Sequence, residues 1–352
     1  MEIKRMDDQM PFLLRYENVA WYEDGAVRIL DRRIFPTKRE FVTCTEYAQV
    51  AQAIADMVTQ SAGPYTAVGM GMALAAYQAK DKPAEEQKAF LQKAAKDLAN
   101  ARPTTANRYA KVTGACLEKQ IEAIDRGESA IDAAVDVTIA SLNRRYGTMQ
   151  LVGDRLEELI PEGGTILTQC FGETIIGTLI RAAKQKGKHF RVFCAETRPY
   201  MQGARLTATC FAEEGFDTTL LTDNMIAYAM EREGIDVFTS AADSIARDGH
   251  IANKIGSFQI AILADHFGVP YYVTGIPDAE KKTKDDIVIE MRDPEQVLTI
   301  NGVRNTAPGV KAIYPSFDIV PPELIRGIVT DRGVFAPADV DRYFDEGEKA
   351  FY

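Results

Sequence analysis

The sequence predicts an α/β protein in which a Rossmann-like domain with a mostly parallel sheet follows a smaller N-terminal domain of short strands and helices. Between Gly163 and Gly275, short apolar runs such as 192–194 and 237–238 recur without strict alternation, which is typical of strands buried on both faces of a parallel sheet. The segments between these runs have helical periodicity, and most end on a glycine that can cap a helix. This repeated strand and helix unit predicts the α/β class.

Length and charge limit the possible classes of protein. With 352 residues, 46% of them hydrophobic, the chain can bury a large core, and its length favours two domains. We place the N-terminal domain, including a helical connector, at 1–145 and the catalytic α/β domain at 146–352. The formal net charge of -10 argues against broad affinity for nucleic acid or an anionic membrane.

Cysteine use and the N-terminal sequence indicate the compartment. The five cysteines form no Cys-x-x-Cys pair and are odd in number, which favours a reducing environment over a disulfide framework. The N-terminus carries charges and lacks an apolar stretch long enough for a signal or a membrane span. We therefore expect a cytoplasmic protein. The three histidines are scattered, without acidic residues at ligand spacing, so we predict no metal site.

The N-terminal half begins with strand signals and continues with helical ones. Segment 10–48 reads as short strands and turns, and Asp24-Gly25 between apolar runs predicts a hairpin. From 46 to about 146 the pattern is helical, with a break at Arg102-Pro103-Thr104, since proline suits only the first turn of a helix. The glycines of 67–76 follow no predicted strand, so close helix packing explains them better than a dinucleotide loop.

In the α/β domain, each predicted strand is followed by a group capable of chemistry: Cys170, Glu196 with Thr197, Asp223 and Asp243. Ligands of open α/β sheets bind outside the carboxyl ends of the strands, beside helix N-termini that favour anions. We therefore expect a site where Cys170, Asp223 and Asp243 converge. For Asp223, which precedes a predicted helix, capping or a supporting role is favoured over catalysis. Beyond Gly275, dense Pro, Gly and Asn predict long loops, with a last strand near 325–330.

Several motifs together resemble one family. They are TQCFGETIIG, AETRPYMQGARLTA, LLTDNMIAY, the stretch from AADSIARDGH to ADHFGVPYYV, RDPEQV, NGVR and GIVTDRGV, with GAVRILD, GMALAA and ARPTTAN in the N-terminal half. These motifs are similar to those of the methylthioribose-1-phosphate isomerases. Their superfamily includes ribose-1,5-bisphosphate isomerases and regulatory subunits of the nucleotide exchange factor of translation initiation. The resemblance covers nearly the whole chain.

The resemblance implies a cofactor-independent aldose-ketose isomerase of methionine salvage, active as a homodimer on a small sugar phosphate. Such an enzyme converts a 5-substituted ribose 1-phosphate, here with a methylthio substituent, into the ribulose 1-phosphate. Cys170 and Asp243 match the family's catalytic pair, which acts as base and acid on opposite sides of the sugar. The residues that match its phosphate and sugar ligands are Arg102, Gln202, Asn253 and Lys254.

Two departures from the family pattern concern this site. Gln60-Ser61-Ala62-Gly63 stands where the family has Arg-Gly-Ala-Pro, and Gln60 and Ser61 can still donate hydrogen bonds to a phosphate. Ser244 stands where the family has an arginine beside Asp243, and we expect it to leave space or polarity there. The methylthio sugar stays the first expectation, and we hypothesise that these departures can shift the preference to another C5 substituent. The alternatives are 5-deoxyribose 1-phosphate, to be tested first, and ribose 1,5-bisphosphate.

The residues themselves favour this chemistry, each against a simpler alternative. Cys170 precedes a predicted helix start that would lower its thiol pKa, although most free cysteines are structural. We expect apolar neighbours to desolvate the Asp243 carboxyl and keep it protonated, whereas capping of the next turn is the alternative. We also expect Asn253 and Lys254 to open a helix, where N–H groups and the ammonium can bind a phosphate.

Three classes of function are considered, in decreasing order: the isomerase, a non-catalytic sensor of a nucleotide or sugar phosphate from the same superfamily, and a nicotinamide-dependent oxidoreductase. The pair of Cys170 and Asp243 favours the enzyme over the sensor, because a sensor needs no acid and base facing one ligand. The oxidoreductase would require a glycine fingerprint after the first strand of the sheet, and TQCFGETIIG does not contain one.

Overall fold

A computed structural model describes residues 5–102 and 106–347. The described residues form two compact units, one up to Thr148, here the N-terminal unit, and one from Met149 onward, here the α/β unit. The predicted helix break at 103–104 lies outside the described residues. In the described part of the chain, every helix is too short or too polar to cross a lipid bilayer.

The N-terminal unit contains a small antiparallel sheet of three strands in the order β1 (Ala20–Glu23), β2 (Ala26–Leu30) and β3 (Phe41–Cys44). The hairpin prediction is confirmed, because Glu23 pairs with Ala26 across a turn in which Asp24 has a φ of 47°. The strand predicted before Ala20 is wrong. A 3-10 helix at Phe12–Leu14 and α1 (Tyr16–Val19) occupy that segment, and the Asn18 amide donates to the Phe12 carbonyl at 2.9 Å, which holds the turn.

Helices fill the rest of this unit, and their packing explains the glycines that resemble a dinucleotide loop. They are α2 (Tyr47–Ala55), α3 (Gly63–Ala79), α4 (Ala84–Ala99), α5 (Ala106–Arg126) and α6 (Ala130–Leu159), and the boundary between the two units falls within α6. A Cβ on Gly69 would lie 2.3 Å from Thr138 Oγ1, and one on Gly71 would lie 3.0 Å from Leu98 Cδ2. Close helix packing therefore requires both glycines, as predicted.

The α/β unit is built around a sheet of seven strands. The strands of the whole unit, including those outside this sheet, are in chain order β4 (Thr165–Thr168), β5 (Arg191–Ala195), β6 (Thr218–Leu221), β7 (Val237–Ala241), β8 (Ser244–Ile245), β9 (Ile251–Lys254), β10 (Tyr271–Thr274), β11 (Thr299–Ile300), β12 (Val303–Arg304), β13 (Phe317–Val320), β14 (Gly327–Val329) and β15 (Val334–Phe335). The large sheet has the order β15-β14-β10-β7-β4-β5-β6 and is parallel except at β15. This arrangement confirms the predicted Rossmann-like fold.

Two smaller sheets complete the strands: β13, β9 and β8 form one antiparallel sheet, and β11 pairs with β12. The helices of this unit are α7 (Glu173–Lys186), α8 (Ala208–Glu213), α9 (Ile226–Arg232), α10 (Ser257–Phe267) and α11 (Glu295–Leu298), with a π-helical turn at Gly203–Thr207 before α8. Short 3-10 helices lie at Lys284–Asp286, Pro322–Leu324 and Pro337–Glu346. As predicted, left-handed glycines end α7 and α10, at Gly187 and Gly268.

The prediction that Asn253 and Lys254 open a helix is wrong. Both residues belong to β9, which pairs with β8 on one side and with β13 on the other. The pairing with β8 covers only Ile251 and Ala252, whereas the pairing with β13 continues through Lys254 and holds the backbone extended as far as that residue. The helix begins only at Ser257, after Gly256 turns the chain with a φ of 100°.

Candidate active site

Cys170 and Asp243 lie at the point where the strand order of the large sheet reverses. Cys170 follows β4, from which the chain continues to β5 on one side, and Asp243 follows β7, the neighbour of β4 on the other side. Ligands of open α/β sheets bind at this kind of switch point. The negative charge of Asp243 raises the pKa of the Cys170 thiol, so the two groups are close enough to interact electrostatically.

Asp223 does not converge on the same point, because it follows the edge strand β6. Its carboxylate accepts hydrogen bonds from the backbone N–H groups of Thr197, at 2.8 Å, and Arg198, at 2.7 Å. It does not cap α9, which has no side-chain cap. The supporting role is therefore the one that the geometry favours for Asp223.

A chain of hydrogen bonds positions Cys170. The Cys170 N–H donates to Thr197 Oγ1 at 2.8 Å, and the Thr207 hydroxyl donates to the Cys170 carbonyl. Cys170 has a φ of 59° and Thr197 a φ of 65°, a left-handed conformation that non-glycine residues rarely adopt. Asp223, Thr197 and Cys170, here the positioning chain, thus hold an unfavourable backbone in place.

Gly172 brings the turn after Cys170 against the end of β7. A Cβ on Gly172 would lie 2.8 Å from the Cβ of Ala241, the last residue of that strand. Real Cβ atoms do not approach so closely. The loops that carry Cys170 and Asp243 therefore depend on glycine at this position.

The pKa of the Cys170 thiol is raised, contrary to expectation. Desolvation raises the pKa of this thiol to about 11, whereas the positive charges of Lys254 and Arg292 act to lower it. The start of α7 lies beyond Cys170, at Glu173 after the N-cap Gly172. A helix dipole acts mainly within the first turn, and Cys170 lies before that turn. Desolvation therefore decides the direction in which the pKa of the thiol shifts.

The expected burial of Asp243 among apolar neighbours is also wrong. Asp243 is exposed, and its backbone N–H donates to the Ala252 carbonyl at 2.9 Å. It lies in the connection between β7 and β8, where this main-chain bond ties it to β9. A strand and not a helix follows it directly, so Asp243 does not cap a helix.

Lys254 places a buried cation in this cluster. The residue is 4% exposed, and its Nζ lies 4.5 Å from the centroid of the Phe317 ring. Desolvation lowers the pKa of Lys254, whereas Cys170 and Asp243 raise it. Within the described ranges, Lys254 forms no ion pair with a carboxylate, so its charge is balanced only by the ring and by longer-range interactions. A bound phosphate would supply the missing counter-charge.

Hydrogen bonds tie the residue before Cys170 to the turn between β9 and α10. Gln169 donates to the Lys254 carbonyl at 2.9 Å, and Ser257 Oγ donates to the same carbonyl at 2.7 Å. The Asn253 amide, in a residue that is 3% exposed, donates to Ser257 Oγ at 2.9 Å. Asn253 and Lys254 are therefore joined to the end of β4 by a buried polar network.

The side-chain oxygen of Gln202 is a buried hydrogen-bond acceptor that receives no hydrogen bond within the described ranges. The side chain is 7% exposed. Gln202 directly precedes the π-helical turn at Gly203–Thr207. Because an unsatisfied buried acceptor costs about 1–3 kcal/mol, a ligand hydroxyl that donates to Gln202 would be stabilised.

Arg292, Tyr314 and Glu290 belong to the same cluster, although the sequence did not single them out. The Arg292 side chain is 14% exposed and donates from Nε to Glu290 Oε1 at 3.1 Å, while its backbone N–H donates to the Tyr314 carbonyl at 2.8 Å. The only signal available was the RDPEQV motif, which begins at Arg292. No periodic pattern marks a loop arginine as part of a site.

Of the space or polarity expected beside Asp243 at Ser244, the structure shows polarity. Ser244 is 5% exposed, and its hydroxyl donates to Asp278 Oδ2 at 2.7 Å. The Lys281 ammonium donates to the same hydroxyl at 2.6 Å. A lysine from a following loop therefore brings a positive charge to the position where the family pattern has an arginine.

The remaining candidates lie in the N-terminal unit. Gln60 is 4% exposed, and its backbone carbonyl accepts a hydrogen bond from Arg32 Nη1 at 2.7 Å. Ser61 is exposed and has a φ of 56°. Arg102 is partly buried and is the last described residue before 103–105. Gln60 and Ser61 thus share one loop, whereas Arg102 belongs to a separate segment.

Comparisons with known proteins give one consistent result. The sequence profile of the Initiation factor 2 subunit family matches residues 61–337. The methylthioribose-1-phosphate isomerase of Fervidobacterium nodosum is 33% identical, with 95% of this chain and 99% of the relative covered. The enzyme of the same name from Chloroflexus aurantiacus is 37% identical, with 90% and 95% covered.

Solved structures agree in fold over nearly the full length. The 5-methylthioribose 1-phosphate isomerase of Pyrococcus horikoshii OT3 has a TM-score of 0.79 and 31% identity, covering 94% of this chain and 95% of its own. The translation initiation factor eIF-2B subunit delta of A. fulgidus has a TM-score of 0.81 and 29% identity, covering 92% and 96%. The chain therefore belongs to the Initiation factor 2 subunit family and, within it, to the methylthioribose-1-phosphate isomerase family.

Proposed function

We propose that the protein is an aldose-ketose isomerase that converts 5-methylthioribose 1-phosphate into 5-methylthioribulose 1-phosphate. Its curated relatives of this name are 33% and 37% identical over most of the chain. The observation that carries the proposal is the electrostatic coupling of Cys170, Asp243 and the buried Lys254 at the switch point of the sheet. A thiol, a carboxyl and a cation are the groups that this reaction uses.

The reaction requires an acid and a base. The phosphate on C1 blocks ordinary ring opening, so the ring oxygen must be protonated before a hydrogen moves from C2 to C1. Cys170 is the base, and Lys254 favours its thiolate form. Asp243 is the acid, and a substrate that covers this exposed carboxyl removes water from it and thereby favours its protonated form.

We assign the binding of the sugar phosphate to Gln202, Asn253 and Lys254 in the α/β unit. For Arg102, Gln60 and Ser61 of the N-terminal unit, phosphate binding stays a prediction of the resemblance. Lys254 supports this assignment by its uncompensated charge, and Gln202 by its unsatisfied acceptor. The substrate is thus recognised through a cation for its phosphate and through polar side chains for its hydroxyls.

The test of the catalytic pair uses Cys170→Ser and Asp243→Asn. Each change should lower kcat by about 10²–10⁴ while folding is retained, because it removes a proton-transfer group and not core volume. Ketose formation from 5-methylthioribose 1-phosphate is followed by NMR, and circular dichroism reports folding. Near-native turnover by either variant would remove that residue from the mechanism.

The hypothesis of a different C5 substituent is tested with the same assay. The parent and the double variant Gln60→Arg, Ser61→Gly are compared on the methylthio sugar, on 5-deoxyribose 1-phosphate and on ribose 1,5-bisphosphate. A lost arginine contact to phosphate costs about 1.5–3 kcal/mol, or tenfold or more in affinity. A parent that prefers the methylthio sugar, with no change in the double variant, would show that these departures do not set specificity.

A non-catalytic sensor is the second candidate, favoured by the similarity to the eIF-2B subunit delta structure. A sensor would bind the sugar phosphate in calorimetry and form no ketose. Catalytic turnover that is lost in Cys170→Ser would exclude this reading, since a sensor does not depend on a base.

The proposed function includes a homodimer in the cytoplasm, with a role in methionine salvage. Large apolar side chains are exposed on β6, α9 and α10, namely Leu220 at 50%, Tyr228 at 63% and Ile262 at 47%. A cavity of about 540 Å³ beside them is lined by Phe258, Ile262 and Leu263, among other residues. A second copy would cover this apolar surface. Tyr228→Glu should therefore shift the mass measured by light scattering to that of a monomer.

A further inference from the structure

Tyr314 carries a buried hydroxyl to which the proposed reaction has assigned no role. The residue is 2% exposed, and across the described ranges its Oη makes no hydrogen bond. The neighbouring Arg292, whose backbone N–H donates to the Tyr314 carbonyl at 2.8 Å, cannot satisfy this hydroxyl. A guanidinium has donors and no acceptor, so the phenol proton is left without an acceptor.

The backbone places Tyr314 beside the groups of the proposed reaction. Met291 forms an isolated antiparallel bridge with Pro315, the residue after Tyr314. Phe317 pairs with Lys254 between β13 and β9, and the Lys254 Nζ lies 4.5 Å from the centroid of the Phe317 ring. The short segment that begins at Tyr314 therefore leads directly to the buried cation of the site.

The phenol is also within electrostatic reach of the proposed base. Burial is the main cause that raises the pKa of the Tyr314 hydroxyl, the positive charge of Arg292 opposes this rise, and Cys170 adds to it. The hydroxyl therefore keeps its proton and acts as a hydrogen-bond donor, not as a second base.

A substrate oxygen would supply the missing acceptor. Buried donors are normally paired, and one that is left unpaired lowers stability. The proposed reaction converts the C2 hydroxyl of the sugar into a carbonyl, and this oxygen becomes negatively charged when its proton leaves. A donor that is already in place stabilises such developing charge, because it does not have to reorient during the reaction.

We propose that the Tyr314 hydroxyl donates a hydrogen bond to the oxygen on C2 of the sugar phosphate while the ketone forms. The inference rests on the proposed function, in which Cys170 removes the hydrogen from C2. Because Oη is buried, the substrate reaches it by displacing the segment 305–313, which precedes Tyr314 and is mostly exposed.

Tyr314 gives up no proton in this scheme. Asp243 protonates the ring oxygen, which keeps the electron pair of the broken C1–O bond. Cys170 takes the proton from C2, and the electron pair of that C–H bond forms the C1–C2 double bond. The C2 hydroxyl then returns a proton to Asp243 and becomes the carbonyl, while the Cys170 thiol protonates C1. Both groups regain their starting states.

The first test is Tyr314→Phe, which removes one oxygen and keeps the ring. Loss of a donor to a developing negative charge should lower kcat on the order of 10²-fold with little change in KM. The control is Tyr343→Phe, whose buried hydroxyl donates to Asp331 Oδ1 at 2.9 Å and which should keep the parent kcat. Ketose formation is followed by NMR. A kcat of Tyr314→Phe within about threefold of the parent value would overturn the proposal.

Thermal unfolding provides a readout that needs no turnover. Because the Tyr314 hydroxyl is unsatisfied, Tyr314→Phe should unfold at the Tm of the parent or above it. Tyr343→Phe should unfold at a lower Tm, since it breaks a satisfied hydrogen bond. If Tyr314→Phe also lowered Tm, the hydroxyl would have a partner within the protein, and the proposal would fail.

Inhibitors identify the substrate oxygen. A hydroxamate analogue of the enolate carries a charged oxygen at the position of the C2 oxygen, and Tyr314→Phe should weaken its inhibition by about the factor lost in kcat. A 2-deoxy analogue of the substrate lacks this oxygen and should inhibit both proteins equally. Equal weakening of both inhibitors, or of neither, contradicts the contact with the C2 oxygen. A parent inactive on every sugar would refute the proposed function, whereas a fully active Tyr314→Phe would refute this inference alone.

Discussion

Replacing Lys254 by methionine should move the pH dependence of isomerisation to higher pH. The lysine ammonium is the largest electrostatic influence that lowers the pKa of the Cys170 thiol, and desolvation opposes it. Without the Lys254 charge, desolvation raises the pKa of the Cys170 thiol further, so the thiol keeps its proton to a higher pH. The base form of the enzyme then becomes rarer at any fixed pH below the thiol pKa.

The size of the effect follows from the thiol pKa of about 11. At about pH 8 the thiolate fraction is roughly one in a thousand, because each unit below the pKa lowers that fraction about tenfold. If the free enzyme must carry a thiolate, kcat/KM should rise about tenfold per unit above about pH 8, until Lys254, whose pKa is lowered by burial, loses the proton with which it binds the phosphate. Loss of a nearby opposite charge shifts a pKa by about 1–3 units, so Lys254→Met should move this rise upward by at least about one unit.

The assay measures kcat/KM for ketose formation above about pH 7.5, where a sugar phosphate is already a dianion because its second pKa is near 6. Lys254→Arg, which keeps the charge, is the matched control and should retain the parent profile. The position of the rise is compared, and not the absolute rate, because Lys254 also binds substrate in our proposal. A flat or falling parent profile, or the same profile in Lys254→Met, would refute the role of Cys170 as a thiolate base.

Three further predictions follow from the geometry. Thr197→Val removes the acceptor of the Cys170 N–H and should lower kcat about 3–10-fold with little change in KM, whereas Thr197→Ser should retain activity. Gly203→Ala would place a Cβ 1.8 Å from the Ala195 carbonyl oxygen and should lower the free energy of unfolding in urea by about 1–3 kcal/mol. The control is Gly114→Ala in α5, where an added Cβ has no neighbouring atom within 4 Å. This change should raise the free energy of unfolding by about 0.5–1 kcal/mol. Activity should survive dialysis against a chelator, and recovery only on adding a divalent metal would contradict this.

The fold could be predicted because its signals are local. The central strands of the large sheet are short apolar runs followed by polar residues, and this pattern alone places Cys170 and Asp243 at the same edge of the sheet. The hairpin at Asp24-Gly25 was predicted for the same reason, since the left-handed turn depends on adjacent residues. What the sequence predicts well is therefore the order of elements and the groups at their ends.

Protonation and loop contacts could not be predicted in this way. The raised thiol pKa depends on desolvation by residues distant in sequence and on the charges of Lys254 and Arg292. The extension of β9 through Lys254 depends on β13, which lies more than 60 residues later and pairs Phe317 with Lys254 (317 − 254 = 63).

The contact between Gly172 and Ala241 affects how a mutational scan of this protein should be interpreted. One additional carbon at position 172 would displace the end of β7, and with it the backbone that leads to Asp243, although neither titrating group is altered. An inactive variant at this position would resemble the loss of a substrate contact. Its defect would instead be an altered separation between two proton-transfer groups, and a compensating reduction of Ala241 to glycine is the change expected to restore activity.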